Sequence, residues 1–107
     1  KTSTLNAAEL RDDGYNANDL KDQGFDAGQL MLGGFDAEAC RAAGFNATQL
    51  KDASFDPLHL KLAGFQAQEL REAGFDASQC REAGYSLEEL RKGKFRGKEL
   101  AEAGFSL

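Results

Sequence analysis

The sequence predicts an all-α solenoid, a superhelix of about ten two-turn helices, one for each ten residues of the 107-residue chain. Three observations predict it. Every aromatic residue falls on a ten-residue clock: Tyr15, Phe25, Phe35, Phe45, Phe55, Phe65, Phe75, Tyr85, Phe95 and Phe105, with Leu5 in the first place. Five residues later runs a second apolar column, Leu10, Leu20, Leu30, Cys40, Leu50, Leu60, Leu70, Cys80, Leu90 and Leu100. A glycine stands before most rings, at Gly14, Gly24, Gly34, Gly44, Gly64, Gly74, Gly84 and Gly104, with Ser54 and Lys94 as the exceptions. No insertion or deletion breaks the register, and repetition at a fixed period marks a stacked repeat architecture.

Residues 76–85 show how one unit is specified. Asp76 is an N-cap acceptor and Gln79, three residues on, is its reciprocal partner, the spacing of a capping box. Each helix therefore starts at the seventh residue of its decade. Gly84 supplies the left-handed conformation that closes a helix in a Schellman or related turn, so six or seven residues remain helical. A ring such as Phe75 follows one terminating glycine and precedes the next N-cap, a place from which it can touch Leu70 behind and Cys80 ahead. Isolated helices shorter than roughly 12–15 residues are marginal in water. Neighbouring turns must therefore stabilise these, which favours a quasi-one-dimensional stack. The ten-residue clock leaves open how many helices complete one turn.

Taken in order, residues 1–10 form a variant first repeat, with Leu5 for the ring and Asn6/Glu9 as a capping pair. Residues 11–90 are regular. Asn16/Asp19 cap the second helix, so the oxygen-rich run Asp12, Asp13, Asn16, Asn18 and Asp19 reads as caps and first-turn charge rather than as a calcium loop, whose ligand order and terminal Glu it lacks. In the third and sixth helices Met31, Leu32, Leu58 and Leu62 occupy columns that are elsewhere mostly polar. They either widen the core locally or form a contact patch. Pro57 follows Asp56 at a first helical position, where its missing donor costs nothing. His59, the sole histidine, falls at a capping-partner position. Ser86/Glu89 is another capping pair. Residues 91–107 are a basic, degenerate end in which Arg91, Lys92, Lys94, Arg96 and Lys98 crowd around Phe95.

The unit is similar to tandem decapeptide repeat arrays: Ala, two variable residues, Leu, a basic residue, one variable residue, Ala, Gly, Phe or Tyr, then Asp, Asn or Ser. Ala67 to Asp76 fits it, and the resemblance extends over essentially the whole chain. It implies a helical repeat with a scaffold or binding role. Ser54, Lys94, Arg96 and Gly97 depart from it.

Composition bounds function. Residues 1–107 suit one repeat domain, with 41% hydrophobic and 29% charged residues. There is no run of eighteen apolar residues to span a membrane and no basic-then-apolar leader to act as a signal peptide. Lys1 suggests a processed or excised piece. The net charge of −5 argues against wholesale nucleic-acid binding, yet it is unevenly spread. Residues 1–90 carry 8 basic and 16 acidic side chains, residues 91–107 carry 5 and 2.

A column of cations, Lys1, Arg11, Lys21, Arg41, Lys51, Lys61, Arg71, Arg81 and Arg91, lies near helix C-termini, where it complements the dipole. That reads as a solvated mixed face, with a phosphate-tracking ladder as the alternative. Cys40 and Cys80 sit four repeats apart. Stacked helices lie roughly 8–10 Å apart and bridged cysteines need Cα atoms within about 7 Å, so the pair reads as free core thiols. No nucleophile motif, phosphate loop, metal-ligand spacing or small-molecule site is legible, and no cofactor is implied. The expectation is a non-enzyme: a scaffold for protein partners through Met31, Leu32, Leu58, Leu62 or Arg91–Lys98. Rods formed by end-to-end self-stacking are the second expectation. Nucleic-acid or anionic-surface binding through residues 91–98 is the third.

Overall fold

A computed structural model describes residues 5–106. Ten α-helices of six residues follow one another: α1 (Ala7–Asp12), α2 (Ala17–Asp22), α3 (Ala27–Leu32), α4 (Ala37–Ala42), α5 (Ala47–Asp52), α6 (Pro57–Leu62), α7 (Ala67–Glu72), α8 (Ala77–Glu82), α9 (Leu87–Lys92) and α10 (Gly97–Glu102). No strand occurs among the described residues.

Both helix ends are held as the local sequence dictates. At the start of α2 the Asp19 N–H donates to Asn16 Oδ1 at 2.8 Å, while the Asn16 N–H donates to Asp19 Oδ2 at 3.0 Å. The same reciprocal box closes α1, α3, α5, α8 and α9. Asp36 caps α4 alone, because Ala39 offers no side chain in return. At α7 and α10 the N-cap residues are Gln66 and Arg96, and only the return half is made, by Glu69 and Glu99. Pro57 occupies the first turn of α6.

Every helix ends in a complete Schellman motif. After α8 the Gly84 N–H donates to the Arg81 carbonyl at 2.9 Å and the Tyr85 N–H to the Cys80 carbonyl at 3.1 Å. This satisfies carbonyls that the helix itself leaves open. The turn requires a left-handed residue, and the eight glycines in that place have φ between +94° and +104°. Ser54 and Lys94 adopt the same turn at φ +77° and +78°, in a region that costs a side-chain-bearing residue roughly 1–2 kcal/mol. Both turns form despite the missing glycine.

Packing resolves what the clock left open. α1 packs on α3, α2 on α4, and so in unbroken sequence to α8 on α10. Two helices thus make one turn, the odd-numbered helices forming one stack and the even-numbered the other. Consecutive helices meet along the shared core of buried Leu, Cys and Ala side chains and rings. The result is a rod of 63 × 17 × 17 Å.

Close approach between turns depends on small residues. A Cβ placed on Gly33 would lie 2.6 Å from Ala7 Cβ, and one on Gly93 would lie 2.8 Å from the Gln68 backbone N and 2.9 Å from Ala67. The residue ending in 3 thus packs against the residue ending in 7 of the helix two before it. Wherever this spacing finds both members in the array, the pair is built from Ala, Gly or Pro, for example Ala17 with Ala43 and Ala77 with Ala103. The requirement lapses at Asp13, Gln23 and Leu87, which have no counterpart at that spacing.

Candidate interaction surfaces

The cation column does more than complement helix dipoles. Arg11 lies over the Phe35 ring at 5.9 Å, Lys21 over Phe45 at 5.5 Å, Arg41 over Phe65 at 5.1 Å and Lys51 over Phe75 at 5.4 Å. Lys61 over Tyr85, Arg71 over Phe95 and Arg81 over Phe105 continue the ladder at 5.7, 5.9 and 4.9 Å. Each cation therefore covers a ring 24 residues later and ties one turn to the next. Such contacts are worth about 0.5–1 kcal/mol each where water reaches them. The column stays exposed or half-buried near helix C-termini, as a solvated face would, and the rings beneath it are an addition to that expectation; Lys1 lies outside the described residues. The signal was in the sequence, as a constant offset between two columns, but only the two-helix turn gives that offset meaning.

Other recurring side chains are committed to the fold in the same way. Tyr85 donates its hydroxyl to the Phe65 carbonyl two repeats earlier, so its buried oxygen has a partner. Burial pushes its hydroxyl well above the usual phenol range. Arg81 donates to the Ala103 carbonyl at 2.9 Å. His59 sits on Asp56, Nδ1 to Oδ1 at 2.8 Å, and meets the Phe55 ring edge-on at 6.3 Å. Cys40 and Cys80 are free and fully buried. Burial, reinforced by Asp36 and Asp76, pushes their thiols up to about 11 and about 12. Among the described residues no group of three or more His, Cys, Asp or Glu is placed to hold a metal ion, and no helix is long and apolar enough to cross a membrane.

The structure separates the four apolar candidates. Met31 is half-buried against the core and occupies, at the ladder's spacing, the cation's place for Phe55. Leu32 is 89% exposed at the end of α3, above an open groove that Leu5, Ala8, Phe25 and Gln29 also line. Leu58 and Leu62, 48% and 72% exposed, lie one helical turn apart on α6. Because α3 and α6 belong to different stacks, Leu58 and Leu62 form one pair and Leu32 stands apart from them.

The five cations of the C-terminal segment are all exposed. Arg91 and Lys92 end α9, Lys94 holds the left-handed turn, Arg96 is the N-cap of α10 and Lys98 lies within it. Phe95 is buried beneath Arg71. None of the five makes an ion pair among the described residues.

No curated protein and no solved structure matches the chain. A family model described as a decapeptide repeat region matches residues 1–57 and again residues 47–107, which together span the chain. Ten capped and glycine-closed helices at intervals of ten residues are the physical content of that match, and the chain belongs to the decapeptide repeat family.

Proposed function

We propose that this repeat array is a non-catalytic scaffold that presents exposed side chains on a rod to protein partners. One observation carries the proposal: the recurring polar, aromatic and glycine positions are committed to caps, turns and the cation ladder. The residues the repeat does not need are therefore its departures and its variable positions: Leu32, Leu58, Leu62, Lys92, Lys94, Arg96 and Lys98 are exposed residues of that kind, and the exposed column cation Arg91 lies beside the last four. An exposed apolar pair such as Leu58 and Leu62 loses water-contacting surface only when a partner covers it.

End-to-end growth of rods finds less support. Asp13 and Gln23 stand exposed in the place that later repeats fill with Ala or Gly, and a further turn stacked there would bury them. An unpaired buried carboxylate is strongly disfavoured.

Sedimentation velocity over a wide concentration range tests the choice. The scaffold predicts an elongated 11.6 kDa monomer throughout. Growth with concentration would favour assembly instead. A photo-crosslinker at Leu62 should then give discrete protein adducts that a Leu58→Ser change depletes without altering the melting temperature.

A further inference from the structure

We propose that Arg91, Lys92, Lys94, Arg96 and Lys98 form a docking surface for an acidic protein segment, rich in Asp and Glu, on a partner. The inference rests on the scaffold proposal and names the chemistry of one of its surfaces.

This segment breaks the rules of its own repeat three times, each time at a cost to the fold. Lys94 replaces glycine in a turn that holds it at φ +78°. Arg96 replaces the Asp, Asn or Ser that would accept from the third helical N–H, and it places positive charge at a helix N-terminus, where the dipole disfavours it. Glycines in the place of Lys94 face the ladder cation of an earlier turn; a Cβ on Gly74 would lie 3.4 Å from Lys51 Nζ. By the same spacing the Cβ of Lys94 is set toward Arg71, so the substitution adds a cation on the ladder's side of the turn. Gly97 at the first position of α10 lowers helix propensity further. Local rules broken together at one site are where function is expected to override folding, and two of these three departures add a cation.

The charge is also left open. All five side chains are exposed, and among the described residues none is in ion-pair contact with a carboxylate.

The form of the surface selects the partner class. A single-stranded nucleic acid gains much of its affinity by stacking bases on exposed rings, whereas Phe95 is buried and no large apolar side chain from 87 to 106 is exposed. The same lack removes the apolar anchor that membrane attachment uses beside basic charge. Residues 1–90 carry 16 acidic against 8 basic side chains, which repel a long uniform polyanion lying along the rod. A short acidic segment meets the cations alone.

The test is fluorescence anisotropy of a short labelled Asp/Glu peptide with the whole chain at low and high salt. A single-stranded oligonucleotide and anionic vesicles serve as parallel probes. The peptide should bind at low salt and weaken about tenfold at high salt, since exposed charges are screened. The decisive variant is Lys94→Gly with Arg96→Asp, which restores the repeat's own residues. It should bind at least about tenfold more weakly while its melting temperature rises, so lost binding cannot be ascribed to misfolding. The proposal is overturned if the peptide does not bind at low salt, if the restored variant binds as tightly as the original, or if either parallel probe binds more tightly than the peptide. Failure here with crosslinking at Leu62 intact would leave the scaffold standing and remove only this surface.

Discussion

A single left-handed residue decides whether each turn of this chain closes, and two repeats close without glycine. Ser54→Gly should therefore stabilise the protein by about 1 kcal/mol, seen as a higher midpoint in denaturant with unchanged slope. Gly84→Val runs the other way, forcing a β-branched side chain into φ +104°. It should cost at least about 2 kcal/mol, and an unaltered melt would contradict the helix boundary drawn at Ala83. Titration of the two thiols makes another prediction at this scale. Their folded values, about 11 and about 12, lie above the ordinary 9.0. Below pH 9 both states are protonated and nothing is lost. As pH rises from 9 toward 12 the unfolded chain ionises first, and stability falls. Replacing Cys40 and Cys80 by Leu, the residue of their column, should reduce this alkaline loss when helix content is followed against pH.

At the scale of the helix, the sequence made the start, the end and the length of every element legible. Caps and Schellman glycines act within one or two residues of the helix they define, so spacing alone reveals them. Asn6/Glu9, Asn16/Asp19, Asp76/Gln79 and Ser86/Glu89 form the boxes expected of them. The cation–ring ladder was not legible because a dipole explanation is local and suffices for each residue taken alone. The ring that each cation covers lies 24 residues away. Gly33 and Gly93 were hidden for a related reason: they serve close approach to Ala7 and Ala67 rather than a turn. The exposed candidates were legible as departures from a column, but their division between α3 and α6 follows only from the two-stack arrangement. Element packing yields a paired prediction. Ala83→Asp should destabilise by several kcal/mol, on the order of 3 for a carboxylate buried without a partner. Asp13→Ala, in the equivalent but uncovered place, should leave thermal stability almost unchanged. Equal effects of the two would show that turns do not meet at these residues.

For the whole molecule, contacts between turns are written as fixed chain separations: 20 residues for Tyr85 with the Phe65 carbonyl, 22 for Arg81 with the Ala103 carbonyl, 24 for each cation with its ring, 26 for Gly33 with Ala7. Deleting residues 71–80 would exchange one unit for the next without changing any separation. Lys61 would then find the ring now numbered Phe95. The shortened chain should fold cooperatively, with helix content reduced in proportion to its length. Deleting five residues instead should abolish the transition. Ten repeats span 63 Å, so the array works as a ruler with interchangeable graduations. Distances between whatever is bound along it can be reset by whole units, leaving the physics of each graduation untouched.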